Sequence, residues 1–149
     1  MDAEEADYFA YWATTGDAGL IPPLHDRMGI QLVQLSPTTV LTMELGEDVR
    51  GLAPGSVHGG MLATFADIAC AVALWRSFER DVEIPITTDM HMRYYRQPKG
   101  GPLRAEASVV YRGTRLLSTE CAVTDAQERL LARATATYMI TTAPPKPSQ

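Results

Sequence analysis

The chain of 149 residues is long enough for one domain with a sizeable hydrophobic core and too short for two ordinary domains. Apolar residues make up 46% of it and charged residues 21%, which are ordinary proportions for a globular protein. The net charge of −5 argues against nucleic acid as the main partner, because phosphate-binding surfaces are normally basic. A local basic cluster could still bind a small anion.

The two ends of the chain are predicted to lie outside a main domain that spans residues 29–142. Residues 1–28 are expected to form a short helix, Glu4 to Ala13, and a connecting loop. Three aromatic residues recur there at helical spacing: Tyr8, Tyr11 and Trp12. The loop contains several helix breakers: Gly16, Gly19, Pro22 and Pro23. The polar, proline-rich residues 143–149 are expected to be a flexible tail.

Six segments have strand patterns. Gly29 to Leu35 and Thr38 to Leu45 are separated by Ser36-Pro37 and are predicted to form a hairpin. The other four follow a long central segment: Ile86 to Arg96, Leu103 to Arg112, Leu116 to Thr124 and Leu130 to Thr142. Their alternation of apolar and polar residues is typical of an antiparallel sheet with one face in water.

Simple alternation assigns each strand residue to a face. In Ile86 to Arg96 it places one set on the first face: Ile86, Thr88, Met90, Met92 and Tyr94. Thr87, Asp89 and His91 then belong to the opposite face. In Leu103 to Arg112 it places Tyr111 on the apolar face and Arg112 on the polar face.

The central segment, Gly59 to Phe78, is predicted to be one helix of about five turns. Its only charged residues are Asp67 and Arg76, and apolar side chains cover almost its whole circumference. A helix of this kind is expected to be buried on nearly all sides. One such helix and about six antiparallel strands predict an α+β fold in which the sheet wraps around the helix.

Asp67 stands in a stripe of small residues on this helix: Gly60, Ala63, Thr64, Asp67 and Ala71. A carboxylate in apolar surroundings is costly unless it is paired or used in chemistry. It could cap a loop or pair with an arginine. However, Gly59 and Gly60 stand at the predicted helix start, where free N–H groups suit a developing oxyanion. Together they indicate an acyl-transfer site.

The motif His58-Gly59-Gly60, with an acid nine positions after the histidine, resembles the hotdog-fold thioesterase superfamily, and in particular its phenylacetate-pathway (PaaI-like) type. The resemblance extends from about Gly29 to Ile140 in strand order and includes the turn Tyr111-Arg-Gly-Thr-Arg115. It implies a hotdog fold with a homodimer, often doubled to a homotetramer, and an active site at the dimer interface. It also implies hydrolysis of an acyl-CoA, with coenzyme A as part of the substrate and no separate cofactor or metal.

The resemblance also implies roles for individual residues. The backbone N–H of Gly59, together with that of Gly60, would polarise the thioester carbonyl. Asp67 of the partner subunit would be the nucleophile or the general base, and both routes stay open. His58 would shape the loop or bind near the leaving sulfur, or it is a structural turn residue. Thr87 would position water, with Thr88 as the alternative because a single bulge would exchange their faces.

Coenzyme A is expected to meet a turn of guanidinium and backbone groups, formed by Arg112, Gly113, Thr114 and Arg115. The alternative is that these arginines are only solvated. Further candidates are Arg93, Arg96 and Lys99. The acyl group is expected to be aromatic or of short to medium length, against residues that could equally be core: Met61, Phe65, Met90, Met92 and Tyr94. Relatives commonly carry an asparagine six residues before the histidine, where this chain has Leu52.

Two alternative functions keep the same fold. A hotdog dehydratase or hydratase would use a histidine as its base, but neither His25 nor His91 is well placed for that role. A non-hydrolytic acyl-CoA-binding protein would need no catalytic carboxylate. Cys70 and Cys121 are predicted to be buried thiols in a reducing compartment. With no secretory signal and no span of roughly 20 apolar residues, a cytoplasmic location without membrane partners is expected.

Overall fold

In the computed structural model, which describes residues 2–13, 23–79 and 82–144, a six-stranded antiparallel sheet wraps around one helix. The helices are α1 (Ala3–Ala13), α2 (Pro23–Arg27) and the central α3 (Gly59–Ala73). The strands are β1 (Ile30–Gln34), β2 (Thr39–Met43), β3 (Glu83–Tyr94), β4 (Leu103–Arg112), β5 (Leu116–Thr124) and β6 (Leu130–Thr142). Their order across the sheet is β1-β2-β4-β5-β6-β3, so β1 and β3 are the two edges.

Small side chains on the concave face of the sheet explain how the helix fits inside it. The alanines of β4 and β6 on this face are all buried: Ala105, Ala107, Ala132, Ala134 and Ala136. Because they project so little, α3 can pack directly over the strands. The helix contributes Leu62, Phe65 and Ala69 to the same core.

The central helix ends earlier than predicted. It stops at Ala73 after 15 residues, about four turns, and a short 3₁₀ helix, Trp75–Ser77, follows. Leu74 closes it, donating its N–H to the carbonyls of Ala71 and Val72. The change from α-helical to 3₁₀ hydrogen bonding brings Trp75 into the core. The sequence has no glycine or proline at this point that would predict the end of the α-helix.

The predicted N-terminal helix is confirmed, and Tyr8 is its buried contact. The rings of Tyr8 and Trp75 lie with their centroids 3.7 Å apart. The side chains of Tyr11 and Trp12, the breakers Gly16, Gly19 and Pro22, and most of the predicted tail lie outside the described residues. His25, which was expected in a loop, lies on α2, and burial lowers its pKa.

Two β-bulges change the faces that alternation assigns. Residue 88 is the extra residue in β3, because Thr87 pairs with Tyr138 and Asp89 already pairs with Thr137. Thr87 therefore shares the helix-facing side with Met90, and the assignment to the opposite face was wrong. A bulge at residue 110 of β4 has the same effect: Arg112 turns to the helix side, while Tyr111 is 63% exposed on the outer side.

Candidate active site

Asp67 is held by two hydroxyl groups from neighbouring strands. Thr87 donates from Oγ1 to Oδ1 of Asp67 at 2.9 Å, and Tyr138 donates from Oη to the same oxygen at 2.6 Å. The Tyr138 hydroxyl also lies 2.9 Å from the backbone carbonyl oxygen of Asp67. Within residues 2–13, 23–79 and 82–144, no ion pair of Asp67 with an arginine is formed. The acid is therefore stabilised by hydroxyls rather than by a cation.

Tyr138 is the residue of this cluster that sequence reasoning missed. It lies on β6 with 1% of its surface exposed, next to Thr87 in register. Burial, the nearby thiol of Cys70 and the hydrogen bond to Asp67 raise its pKa above the usual range. The sequence does contain a signal for this contact. A tyrosine among the buried alanines of β6 needs a hydrogen-bond partner for its hydroxyl, and the one acid of α3, Asp67, is a candidate for that partner.

The small-residue stripe of α3 is its open side. Ala63, Thr64, Asp67 and Ala71 are only half-buried, and Gly60 is exposed. The prediction that the helix is buried on nearly all sides was wrong for this stripe. Small residues leave the helix backbone approachable from this side, so a substrate or another chain can reach Asp67 here.

The start of α3 is capped by its own histidine. His58 accepts the Gly60 N–H on Nδ1 at 3.0 Å, so its neutral ring carries the proton on Nε2. The Gly60 N–H, a predicted partner in carbonyl binding, is thus already occupied. In the part of the chain that the structure describes, the Gly59 N–H has no acceptor. Gly59 is the donor that remains for a ligand.

Gly59 and Asp67 of one chain cannot act on the same carbonyl. They are eight residues apart on one helix, which corresponds to about 12 Å along its axis. An oxyanion donor and an attacking or proton-accepting group must both lie about 3 Å from the reacting atoms. Within one chain these two groups are therefore too far apart to act together.

The helix-facing side of β3 contacts both Asp67 and Gly59. Thr87 lies at its Asp67 end, and at its other end Tyr94 donates from its hydroxyl to the Gly59 carbonyl at 2.8 Å. Between them Met90 and Met92 are half-buried. Phe65, which was considered for an acyl pocket, is completely buried and belongs to the core.

The residues predicted to bind coenzyme A, at positions 112–115, do not all lie on the same side of the sheet. Arg112 lies on the helix side, where it donates to Ser77 Oγ and borders a cavity of about 140 Å³ that does not include Asp67. Thr114 and Arg115 are exposed at the turn itself, and the Gly113 N–H bonds to the Leu116 carbonyl. The bulge at residue 110 turns Arg112 to the helix side, so the assignment of its side chain to the polar face was wrong. The role of this turn in binding coenzyme A stays a prediction.

The other sequence candidates lie away from Asp67 or at the surface. Arg93 and His91 are on the outer face of β3, and the backbone N–H of Lys99 binds Asp125 at 3.0 Å. Arg96 is exposed just after β3. Leu52 is fully exposed on the loop before α3. Within the described ranges both cysteines are buried free thiols, as predicted, and no group of residues suited to a metal ion is found.

Comparison with known proteins identifies the family. The sequence profile of the thioesterase superfamily matches residues 54–132, just over half of the chain, and this span contains His58, Asp67 and Thr87. The chain belongs to the thioesterase superfamily. A Deinococcus radiodurans protein with an inferred esterase assignment is 28% identical over 111 residues, which cover 74% of this chain and 69% of that protein. Both findings point to a hydrolase.

Solved structures confirm the hotdog fold. A thioesterase family protein from Silicibacter pomeroyi aligns with a TM-score of 0.77 at 23% identity, covering 89% of this chain and 99% of that one. The PaaI protein of the E. coli phenylacetic acid degradation operon aligns with a TM-score of 0.68 at 19% identity, covering 87% and 91%. The predicted six-stranded sheet around one helix, and the predicted superfamily, are therefore both confirmed. In the described residues no helix is long and apolar enough to cross a bilayer.

Proposed function

We propose that this member of the thioesterase superfamily hydrolyses an acyl-CoA at a site shared by two subunits. The observation that carries the proposal is the small-residue stripe of α3, which is only half-buried and contains the acid Asp67. The Gly59 N–H of one subunit binds the thioester carbonyl oxygen, and Asp67 of the other subunit takes the proton of the attacking water or attacks the carbonyl itself. The products are the carboxylic acid and free coenzyme A.

The edge position of β3 supports the two-subunit site. Within residues 2–13, 23–79 and 82–144 this strand of 12 residues pairs on one side only, with β6, which leaves its other side for pairing with a second copy. Such pairing extends the sheet and brings two copies of α3 next to each other across it. The half-buried stripe with Asp67 then faces the partner's Gly59, which resolves the separation of about 12 Å within one chain.

The half-buried Met90 and Met92, between Thr87 and Tyr94, favour an apolar acyl group that lies along β3. We infer an aromatic or short- to medium-chain acyl-CoA. Exposed Thr114 and Arg115 remain candidates for the coenzyme A phosphates. Arg112 is a weaker candidate, because its guanidinium already bonds Ser77.

A release assay for free thiol, run on aromatic, hexanoyl and decanoyl thioesters of coenzyme A, tests this function. Asp67→Asn keeps the shape of the side chain and should reduce kcat at least about 100-fold while coenzyme A binding persists. Asp89→Asn, on the outer face of β3, is the matched control and should act like wild type. A wild type that binds coenzyme A and hydrolyses none of these thioesters would favour the binding-protein alternative. Full activity in Asp67→Asn would remove Asp67 from the site.

Mixed oligomers test whether the site is shared. Gly59→Val, which blocks the helix start, and Asp67→Asn should each be inactive as homo-oligomers. In a purified heterodimer of one Gly59→Val subunit and one Asp67→Asn subunit, one of the two shared sites carries both substitutions and the other carries neither. About half of the wild-type activity should therefore return. No recovery in the heterodimer would place the whole site within one chain.

A further inference from the structure

Tyr138 approaches Asp67 in a way that gives the two carboxylate oxygens different environments. Its hydroxyl lies 2.6 Å from Oδ1, and Thr87 donates to the same oxygen at 2.9 Å. In the described part of the chain Oδ2 receives no hydrogen bond. One oxygen thus has two donors, and the other is left for a ligand.

The Tyr138 hydroxyl is a permanent donor to this carboxylate. A phenol has one hydrogen, and Oδ1 is both the nearer and the more negative of the two acceptors within reach, since the Asp67 carbonyl oxygen lies at 2.9 Å. Burial, with the nearby Cys70 and Asp67, raises the pKa of Tyr138, so the phenol stays protonated at any pH at which the protein is assayed. The donor is not lost to ionisation.

We propose that Tyr138 is a positioning residue: with Thr87 it fixes Oδ1 of Asp67, so that Oδ2 is the oxygen that meets water or the thioester. This inference rests on the proposed thioesterase function. Rotation of a free carboxylate would offer either oxygen in any orientation, whereas two hydroxyls from separate strands hold the carboxylate plane. Catalysis is sensitive to displacements of about 1 Å in the reacting groups, so loss of these two hydrogen bonds is expected to lower kcat.

Tyr138→Phe is the direct test, because it removes the hydroxyl and keeps the buried ring. We expect kcat to fall about 10- to 100-fold with KM changed less than about 3-fold, because positioning acts on the reaction more than on binding. Tyr8→Phe, a tyrosine buried against Trp75 on another part of the fold, is the matched control and should change neither parameter.

Two further variants keep the test decisive if Tyr138→Phe folds poorly. Thr87→Val removes the other hydrogen bond to Oδ1 and should also lower kcat more than it changes KM, and Thr87→Ser, which restores a hydroxyl, should return kcat. Replacing Tyr138 by 3-fluorotyrosine keeps both its size and its hydroxyl donor, so kcat should stay close to that of wild type.

A folded Tyr138→Phe with wild-type kcat would overturn the inference, as would a change in KM alone. Asp67→Asn separates this failure from failure of the proposed function. If Asp67→Asn is inactive while Tyr138→Phe is unchanged, only the positioning role is wrong. If Asp67→Asn is fully active, the proposed site itself is wrong.

Discussion

Adding a methyl group to Gly59 tests whether a substrate approaches the start of α3. In Gly59→Ala the new Cβ would lie 3.8 Å from Cε1 and Cζ of Tyr94 and 3.9 Å from its hydroxyl oxygen. These are ordinary van der Waals distances, so the folded protein accommodates the methyl group without strain. Alanine also restricts the unfolded chain more than glycine does, so the free energy of unfolding should stay the same or rise by up to about 1 kcal/mol.

The same methyl group should interfere with catalysis. If the thioester carbonyl binds the Gly59 N–H, the methyl group displaces the acyl group from its productive position. A displacement of about 1 Å costs up to about 100-fold, so kcat/KM should fall about 10- to 100-fold, equivalent to about 1.4 to 2.7 kcal/mol of transition-state stabilisation. The assays are urea unfolding and thiol release on the best thioester of coenzyme A.

Gly46→Ala is the control for this experiment. A Cβ added to Gly46 would have no heavy atom within 4 Å, and the backbone there is extended with φ −84°. The substitution should therefore affect the free energy of unfolding as Gly59→Ala does, with no change or a rise of up to about 1 kcal/mol, and should leave activity unchanged. Wild-type hydrolysis by a stable Gly59→Ala would refute close approach of substrate at Gly59. If Gly59→Ala instead lost more than about 1 kcal/mol of unfolding free energy, the added methyl group would be in conflict with Tyr94, and the distances between them would be wrong.

Two other predictions concern stability. His58→Ala removes the side-chain cap of the Gly60 N–H and should lower the free energy of unfolding by about 0.5 to 2 kcal/mol, with His58→Asn restoring most of it in urea titrations. Asp125 is buried; burial alone would raise its pKa, but donors from the Lys99 backbone, Arg129 and the Gln127 backbone together lower it below the usual range. Its contribution is therefore present above the ordinary aspartate range and is lost as pH falls through the folded pKa. Asp125→Asn should be less stable than wild type at pH 7, and thermal melts should show the gap narrowing towards pH 2; a gap that stays constant would contradict this.

The sequence predicted the architecture because its patterns are long and regular. Alternation over β4, β5 and β6, and an apolar helix with one acid, leave few arrangements other than a sheet around a helix. The end of α3 was less predictable. Its last predicted residues, from Trp75 on, continue the helical segment without a glycine or proline. Tertiary contacts distinguish them, such as the packing of Trp75 against Tyr8.

The site was predicted in part, and each gap has a local cause. A bulge adds one residue without leaving a mark in the alternation, so the faces of Thr87 and Arg112 could not be fixed from sequence. The use of the Gly60 N–H by His58 depends on one side-chain rotamer. Tyr138 lies 71 residues from Asp67 in the chain, and only the fold brings them together.

The separation of Gly59 and Asp67 by two turns of one helix has a consequence for how the protein works in dilute solution. A single folded chain holds both groups, yet under the proposed function it holds no complete site. Below the dissociation constant of the dimer, the rate of hydrolysis then rises with the square of the protein concentration instead of linearly. The amount of chain in a cell would therefore regulate specific activity as well as total activity, with no effector required.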